Sequence, residues 1–245
     1  MNLIIDLGNT QCKVALYEGE TIIKSAVFTE NYYEQIISNF PPTSYQNAIL
    51  SSVINHNPEI EELVKKCEIG LVLTTSLKLP FHNKYNSPQT LGTDRLANAA
   101  ALASSCKGEN ALCIDVGTCI KFDFVDQNNG YYGGSIAPGM RMRFQALNTF
   151  TDKLPLIQVQ ANKKSNDSSL VGGNTNQSIE SGVVNGMQAE INGMISRYQS
   201  EYPNLKVILT GGDASFFENE VNKPIFADAF FTLHGLNAIL NANAD

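Results

Sequence analysis

Leu3-Ile4-Ile5-Asp6-Leu7-Gly8-Asn9-Thr10-Gln11-Cys12-Lys13 decides how the rest of the chain is read. Three apolar residues run into a carboxylate, Gly8-Asn9-Thr10 forms a tight polar turn, and alternation resumes from Cys12 to Tyr17. The pattern predicts strand, turn, strand, with Asp6 at the end of the first strand. Gly8 lets backbone come close to a ligand, and Asn9 and Thr10 offer amide and hydroxyl donors beside it. Exposed turn amides with one carboxylate suit a phosphate carried on a metal ion. A plain β-hairpin closed by an Asx-type turn accounts for this one stretch equally well.

A second copy changes the balance. Ile114-Asp115-Val116-Gly117-Thr118 repeats Ile5-Asp6-Leu7-Gly8 with a hydroxyl after it, and an alternating strand follows each copy. Two such units in one chain indicate a duplicated domain. A third glycine turn, Thr210-Gly211-Gly212-Asp213, follows the apolar run Val207 to Leu209 and opens a helix.

The chain has 245 residues, enough for two modest domains with cores of their own. Apolar content of 43% and charged content of 17% are those of a soluble globular protein. A formal charge of -7 without a basic run argues against a nucleic-acid partner. It does not exclude an anionic ligand, because a local nest of amides binds phosphate despite a negative surface. Five cysteines with no Cys-x-x-Cys pair read as reduced thiols in the cytoplasm. No leader is expected ahead of a strand starting at Leu3, and no apolar run approaches membrane-spanning length. Phosphate-loop, Gly-x-Gly-x-x-Gly, His-Glu-x-x-His and zinc-type spacings are all missing, so a P-loop kinase and a Rossmann dehydrogenase fit poorly.

In chain order, Thr21–Phe28 reads as a third strand of the first meander and Tyr32–Phe40 as a helix stopped by Pro41-Pro42. Ala48–Val53 reads as a buried parallel strand, and Asn57-Pro58 opens a helix with acidic residues at its positive end. Gly70–Leu73 is another strand. A meander followed by helix, strand, helix, strand is an α/β arrangement. Thr74–Leu91 has no periodicity and is too long for a routine connector, which points to function. Tyr85 lies in it, and an aromatic pinning the loop is its structural alternative. Gly92-Thr93-Asp94-Arg95 opens an alanine-rich helix to about Ser104, where Thr93 or Asp94 would serve as N-cap. Tyr131–Gly139 is glycine-rich and leads into a helix over Met140–Phe150, whose Arg141 and Arg143 read as solvent or salt-bridge residues. Asn162–Asn174 reads as a polar loop. Asn176 to about Tyr198 is the longest helix, with the apolar stripe Ile179, Val183, Met187, Ile191, Met194, Ile195 and Tyr198. Gly182, Gly186, Ala189 and Gly193 form a small-residue stripe beside it, at about 1 kcal/mol of lost stability per glycine relative to alanine. A domain, subunit or core contact would exploit that stripe. Phe230–Leu240 closes the chain as a helix containing His234, read as a satisfied histidine.

The paired Asp-x-Gly hairpins resemble the acetate and sugar kinase, heat-shock-70 and actin superfamily. Within it the chain is similar to the type III pantothenate kinases. Tyr85 in Asn-Lys-Tyr-Asn, Gly92-Thr93-Asp94-Arg95, Gly133-Gly134-Ser135-Ile136-Ala137-Pro138-Gly139, and Thr175 followed by Glu180-Ser181-Gly182 occur in that order along nearly the whole chain. The resemblance implies an α/β fold of two ribonuclease-H-like (actin-like ATPase) domains, residues 1–108 and 109–245, with a nucleotide cleft between them. It implies ATP-dependent phosphorylation of pantothenate to 4'-phosphopantothenate, the first step of coenzyme A synthesis, in a cytoplasmic homodimer. By the same resemblance, Asp6, Leu7, Gly8, Asn9, Thr10, Gln11, Cys12 and Lys13 cradle the ATP phosphates, with Asp6 on the magnesium shell. Thr118 touches the nucleotide from the second hairpin, and Gly134 and Gly211-Gly212 lie near the nucleoside. Tyr85, Gly92, Thr93, Asp94, Arg95 and Thr175 form the pantothenate pocket, with Asp94 as catalytic base. Asp115 binds a monovalent cation, potassium or ammonium. One departure bears on that ion. Cys119, Ile120 and Lys121 stand where the family usually has small residues and threonines, and Lys121 either points outward on its strand or disturbs the cation site. The rival functions are another sugar-type kinase of the superfamily and a non-catalytic nucleotide-binding regulator.

Overall fold

The computed structural model describes residues 1–158, 164–218, 221 and 225–244. Residues 162–163 of the expected polar loop lie outside the described residues. The elements run β1 (Asn2–Leu7), β2 (Cys12–Glu18), β3 (Thr21–Phe28), α1 (Tyr32–Asn39), β4 (Asn47–Ser52), α2 (Pro58–Lys65), β5 (Ile69–Val72), β6 (His82–Asn83) and α3 (Thr93–Ser105). Then come β7 (Ala111–Val116), β8 (Cys119–Val125), β9 (Gly130–Pro138), α4 (Met140–Thr149), α5 (Thr175–Glu201), β10 (Lys206–Thr210), α6 (Ala214–Phe217), β11 (Phe226–Ala227) and α7 (Phe231–Ala242). They cluster as two compact units. One holds Met1–Gly108, Val125–Gly133 and Phe230–Asp245, and the other holds Glu109–Phe124 and Gly134–Ala229.

The first unit is built on a five-stranded sheet in the order β3-β2-β1-β4-β5. β1 pairs antiparallel with β2 and parallel with β4, so it is hydrogen-bonded on both edges. Period-2 alternation divides its side chains. Leu3, Ile5, Leu7, Val14 and Leu16 join Ile36 of α1 and Ile60 and Val64 of α2 in one core. Ile4, Ala15, Tyr17 and Ile49 are as fully buried on the other face, where α3 and α7 pack. The local signals act as read. Phe40 caps α1 just ahead of the two prolines. Pro58 opens α2, where the Asn57 side chain accepts the Glu59 amide at 3.0 Å. α7 is tied back to the start of the chain by amides. Asn2 Nδ2 donates to Asn237 Oδ1 at 2.9 Å, and Asn237 Nδ2 donates to the Gly19 carbonyl at 2.8 Å. His234 shares a 2.9 Å hydrogen bond with the Tyr17 hydroxyl, which satisfies it as expected.

The second unit carries the strand order β11-β10-β7-β8-β9, with β7 and β10 parallel. Leu112, Ile114, Val116, Ile120, Phe122 and Phe124 face the α5 stripe Ile179, Val183, Met187, Ile191 and Ile195 in its core. Arg143 pairs with Glu190. One stretch differs from its reading. Residues 130–138 form a full strand, β9, where the sequence showed only a glycine-rich stretch. Glycine there serves backbone approach: a Cβ on Gly134 would lie 1.7 Å from the Phe122 carbonyl oxygen of the neighbouring strand.

The buried amide tie gives a test. Asn237→Leu should leave the Asn2 amide and the Gly19 carbonyl short of a partner and lower the unfolding free energy by about 1–3 kcal/mol, read by urea titration.

Candidate active site

In the first unit the polar groups collect at the carboxyl ends of β1 and β4. In register, Asp6 lies opposite Lys13 on β2 and Ser51 on β4. The hairpin turn closes with the Gly8 amide donating to the Gln11 carbonyl at 3.1 Å, and leaves Asn9 and Thr10 exposed at its tip. Leu7 and Cys12 bury their side chains in the core, so only their peptide groups can meet a ligand. Burial, with the Asp6 charge second, pushes the Cys12 thiol far above its ordinary range and keeps it protonated.

α3 starts beside this hairpin. Its N-cap is Gly92, not Thr93 or Asp94 as the local sequence suggested. Thr93 is used elsewhere: its hydroxyl donates to the Ser52 carbonyl at 3.2 Å and accepts from Ser51 Oγ at 3.1 Å. The end of β4 is thereby stitched to the start of the helix. Asp94 follows in the first turn, half-buried, accepting the Arg95 amide at 2.9 Å. The positive end of the helix favours a carboxylate there. Asp6, Ser51, Thr93 and Asp94 thus gather where strand order reverses in an open sheet, the usual position for ligands in α/β folds.

Arg95 is buried, with its guanidinium 5.6 Å from the centre of the Tyr85 ring. Tyr85 is positioned by backbone: β6 pairs with Gly130 and Tyr131 of β9, and the Tyr85 amide donates to Asn83 Oδ1 at 3.1 Å. Its ring also lies 6.2 Å from that of Tyr131. A buried guanidinium behind a half-exposed phenol is suited to a carboxylate or amide ligand.

In the second unit Asp115 is the last residue but one of β7, in register with Thr210 on β10. Gly211 follows with φ +101°, and a Cβ there would lie 2.6 Å from Asp115 Oδ1, so only glycine serves. Lys121 does not point outward. Its Nζ lies 2.7 Å from Asp115 Oδ2, with both side chains under 15% exposed, at 14% and 12%. The monovalent cation expected on Asp115 does not fit this arrangement, because an ammonium of the protein already stands on the carboxylate. Thr118 is exposed at the second turn, and its carbonyl accepts the Gly139 amide at 3.0 Å. Thr175 opens α5, exposed, after the capping residue Asn174.

A cavity of about 340 Å³ lies in this unit, lined by Met140, Arg141, Phe144, Leu156, Ile157 and Asp213 among others. Sequence reading missed it, because Leu156 and Ile157 sit in an aperiodic segment. The neighbouring glycine turn was its one signal. Among the described residues no group of three or more His, Cys, Asp or Glu could hold a metal ion. Asp6 fits a different demand, since magnesium on a nucleotide takes one or two carboxylates and the phosphates themselves.

Solved structures with this fold include a protein of the Baf family of transcriptional activators from Campylobacter jejuni, at TM-score 0.59 and 22% identity, covering 99% of this chain and 98% of the other. A candidate N-acetylmannosamine kinase from Listeria monocytogenes gives TM-score 0.57 at 13% identity, covering 100% and 99%. The fold is therefore the two-sheet α/β fold of the actin-like ATPases and their sugar-kinase relatives. The sequence pattern of type III pantothenate kinase matches residues 2–197. The type III pantothenate kinase of Christiangramia forsetii is 39% identical over 247 aligned residues, 99% of each chain. The chain belongs to the type III pantothenate kinase family, whose members are ATP-using phosphotransferases of coenzyme A biosynthesis.

Asp213 supplies a test at the cavity. Burial raises its carboxyl above the usual range. A carboxyl with a raised folded-state pKa contributes stability that is full below its unfolded value, about 3.9, and is lost as pH rises through the folded value. Asp213→Asn removes that loss. It should melt above wild type at pH 7 in a thermal scan, and the gap should close as pH falls below about 4.

Proposed function

We propose that the chain phosphorylates pantothenate from ATP, giving 4'-phosphopantothenate, through the residues at the carboxyl ends of β1 and β4. The observation that carries this is the placement of Asp6 and Asp94 at one sheet end, joined through Ser51 and Thr93. The peptide groups of residues 6–13 and the side chains of Asn9, Thr10 and Lys13 hold the phosphates, and Thr118 adds a contact. Magnesium, when bound with the nucleotide, neutralises phosphate charge, and Asp6 supplies a carboxylate to its shell. Tyr85, Gly92, Thr93, Arg95 and Thr175 hold pantothenate, with Arg95 facing its carboxylate or amide. Asp94 takes the proton of the primary hydroxyl as that oxygen bonds to the γ-phosphorus and the bond to the ADP oxygen breaks. The cavity beside Asp213 takes the nucleoside, with Gly134 and Gly211-Gly212 near it. The monovalent cation implied at Asp115 has no part in this reading, since Lys121 supplies the charge.

Residues 1–108 and 109–245 are read as the two copies of the duplicated domain, with α7 returned to the first. The working form is a cytoplasmic homodimer with Thr175 and α5 near the contact. Gly182, Gly186 and Gly193 support that reading: each is exposed, and a Cβ on any of them would meet nothing within 4 Å. Three exposed helical glycines cost about 1 kcal/mol each unless another surface uses the space. The fold likeness to a Baf-family activator keeps a non-catalytic regulator as the rival, but a pure binder has no use for a base at Asp94.

Purified protein with ATP, magnesium and pantothenate should give the phosphorylated product by mass spectrometry. No product from folded protein, or turnover of a sugar instead, would reject this reading. Asp94→Asn should lower kcat by about 10²–10⁴-fold with nucleotide affinity kept. Wild-type kcat in that variant would remove Asp94 from the chemistry. Light scattering should give a dimer, and Gly186→Glu should shift it toward monomer. A fully active wild-type monomer would refute the dimer.

A further inference from the structure

We infer that Lys121 is a built-in counter-ion for Asp115, so that this enzyme turns over without any added monovalent cation. The inference rests on the kinase reading above and goes beyond it. It starts from the strand pattern. Ile120, Phe122 and Phe124 of β8 enter the core with Leu112, Ile114 and Val116 of β7. Alternation therefore puts Lys121 and Asp123 on the opposite face of the sheet, the face that carries Cys113 and Asp115. That face is buried: Cys113 and Asp123 are fully so, and Asp115 is nearly so.

Burial raises the Cys113 thiol most; Asp115, Asp123 and Asp228 raise it further, and Lys121 lowers it. Asp115 and Asp123 share this buried face, and the Lys121 ammonium stands 2.7 Å from Asp115 Oδ2. The head of lysine is an alkylammonium, with the charge and hydrogen-bond donors of an ammonium ion. Tethered on β8, it pays no entropy of capture from solution. A potassium ion at the same oxygen would have to drive a buried ammonium off its carboxylate, at the cost of leaving that ammonium without its counter-charge.

The test is a rate series with ATP, magnesium and pantothenate in potassium, ammonium, sodium and choline chlorides at fixed ionic strength. Wild-type rates should agree within about twofold across the four salts. A fivefold or larger stimulation by potassium or ammonium over choline would overturn the inference while leaving the kinase reading intact. Lys121→Met keeps length and removes charge. It should lose at least tenfold in choline and recover in potassium or ammonium. A folded Lys121→Met protein with the wild-type rate in choline would overturn the inference, since no cation would then be needed at Asp115. A binding readout separates this from the reaction. The melting temperature of Lys121→Met should rise in potassium relative to choline, and that of wild type should not. A wild-type rise equal to that of the variant would again overturn it. If wild type yields no phosphopantothenate in any salt, the kinase reading fails, and the melting series still decides whether Lys121 holds the cation position.

Discussion

Everything at the candidate site depends on the two-sided hydrogen bonding of β1. A strand paired on both edges cannot slip register without turning every side chain to the wrong face. With Leu3, Ile5 and Leu7 committed to one core and Ile4 to the packing beneath α3 and α7, Asp6 has one place to be. Its neighbours follow from the same register, Lys13 on one side and Ser51 on the other. The second unit repeats the arrangement with β7 between β8 and the parallel strand β10, and with Asp115 opposite Thr210. Each unit therefore presents a carboxylate at the end of a buried strand without any contribution from loop geometry.

The first unit then adds a helix start to the carboxylate. Thr93 gives up the capping role common to its residue type and uses its hydroxyl to join β4 to α3. Capping is left to Gly92, which contributes no side chain. The exchange costs little helix stability, about a few tenths of a kcal/mol, because glycine is itself an accepted N-cap. In return Asp94 is held in the first turn at a defined place relative to the end of β4. Giving up local stability to position a functional group is the usual sign of a site.

The second unit solves a charge problem with its own residues. Buried carboxylates on one sheet face would destabilise the fold, and Lys121 offsets part of that from the neighbouring strand. The same substitution read along the sequence is only a departure from a family pattern. In space it is a salt bridge to Asp115 on the neighbouring strand.

Much was legible in the chain alone, for a physical reason: alternation, caps and glycine turns are local, and their signals lie within a few residues of where they act. The two Asp-x-Gly hairpins, the Pro-stopped α1, the Asn57-Pro58 start of α2 and the α5 stripe are all of that kind. The motifs also sufficed for the family, because the spacing of Gly92 to Arg95 and Gly133 to Gly139 survives in one dimension. What required tertiary structure involves pairs far apart or faces chosen by a neighbour. Strand β9 hid behind its glycines, whose use is a close approach to Phe122 on another strand. The cavity beside Asp213 is lined by two segments that share no periodicity. The direction of Lys121 was open in the sequence, since a residue on a strand can face either way until the sheet selects the buried side. The core selected Ile120 and Phe122, and that choice turned Lys121 onto Asp115.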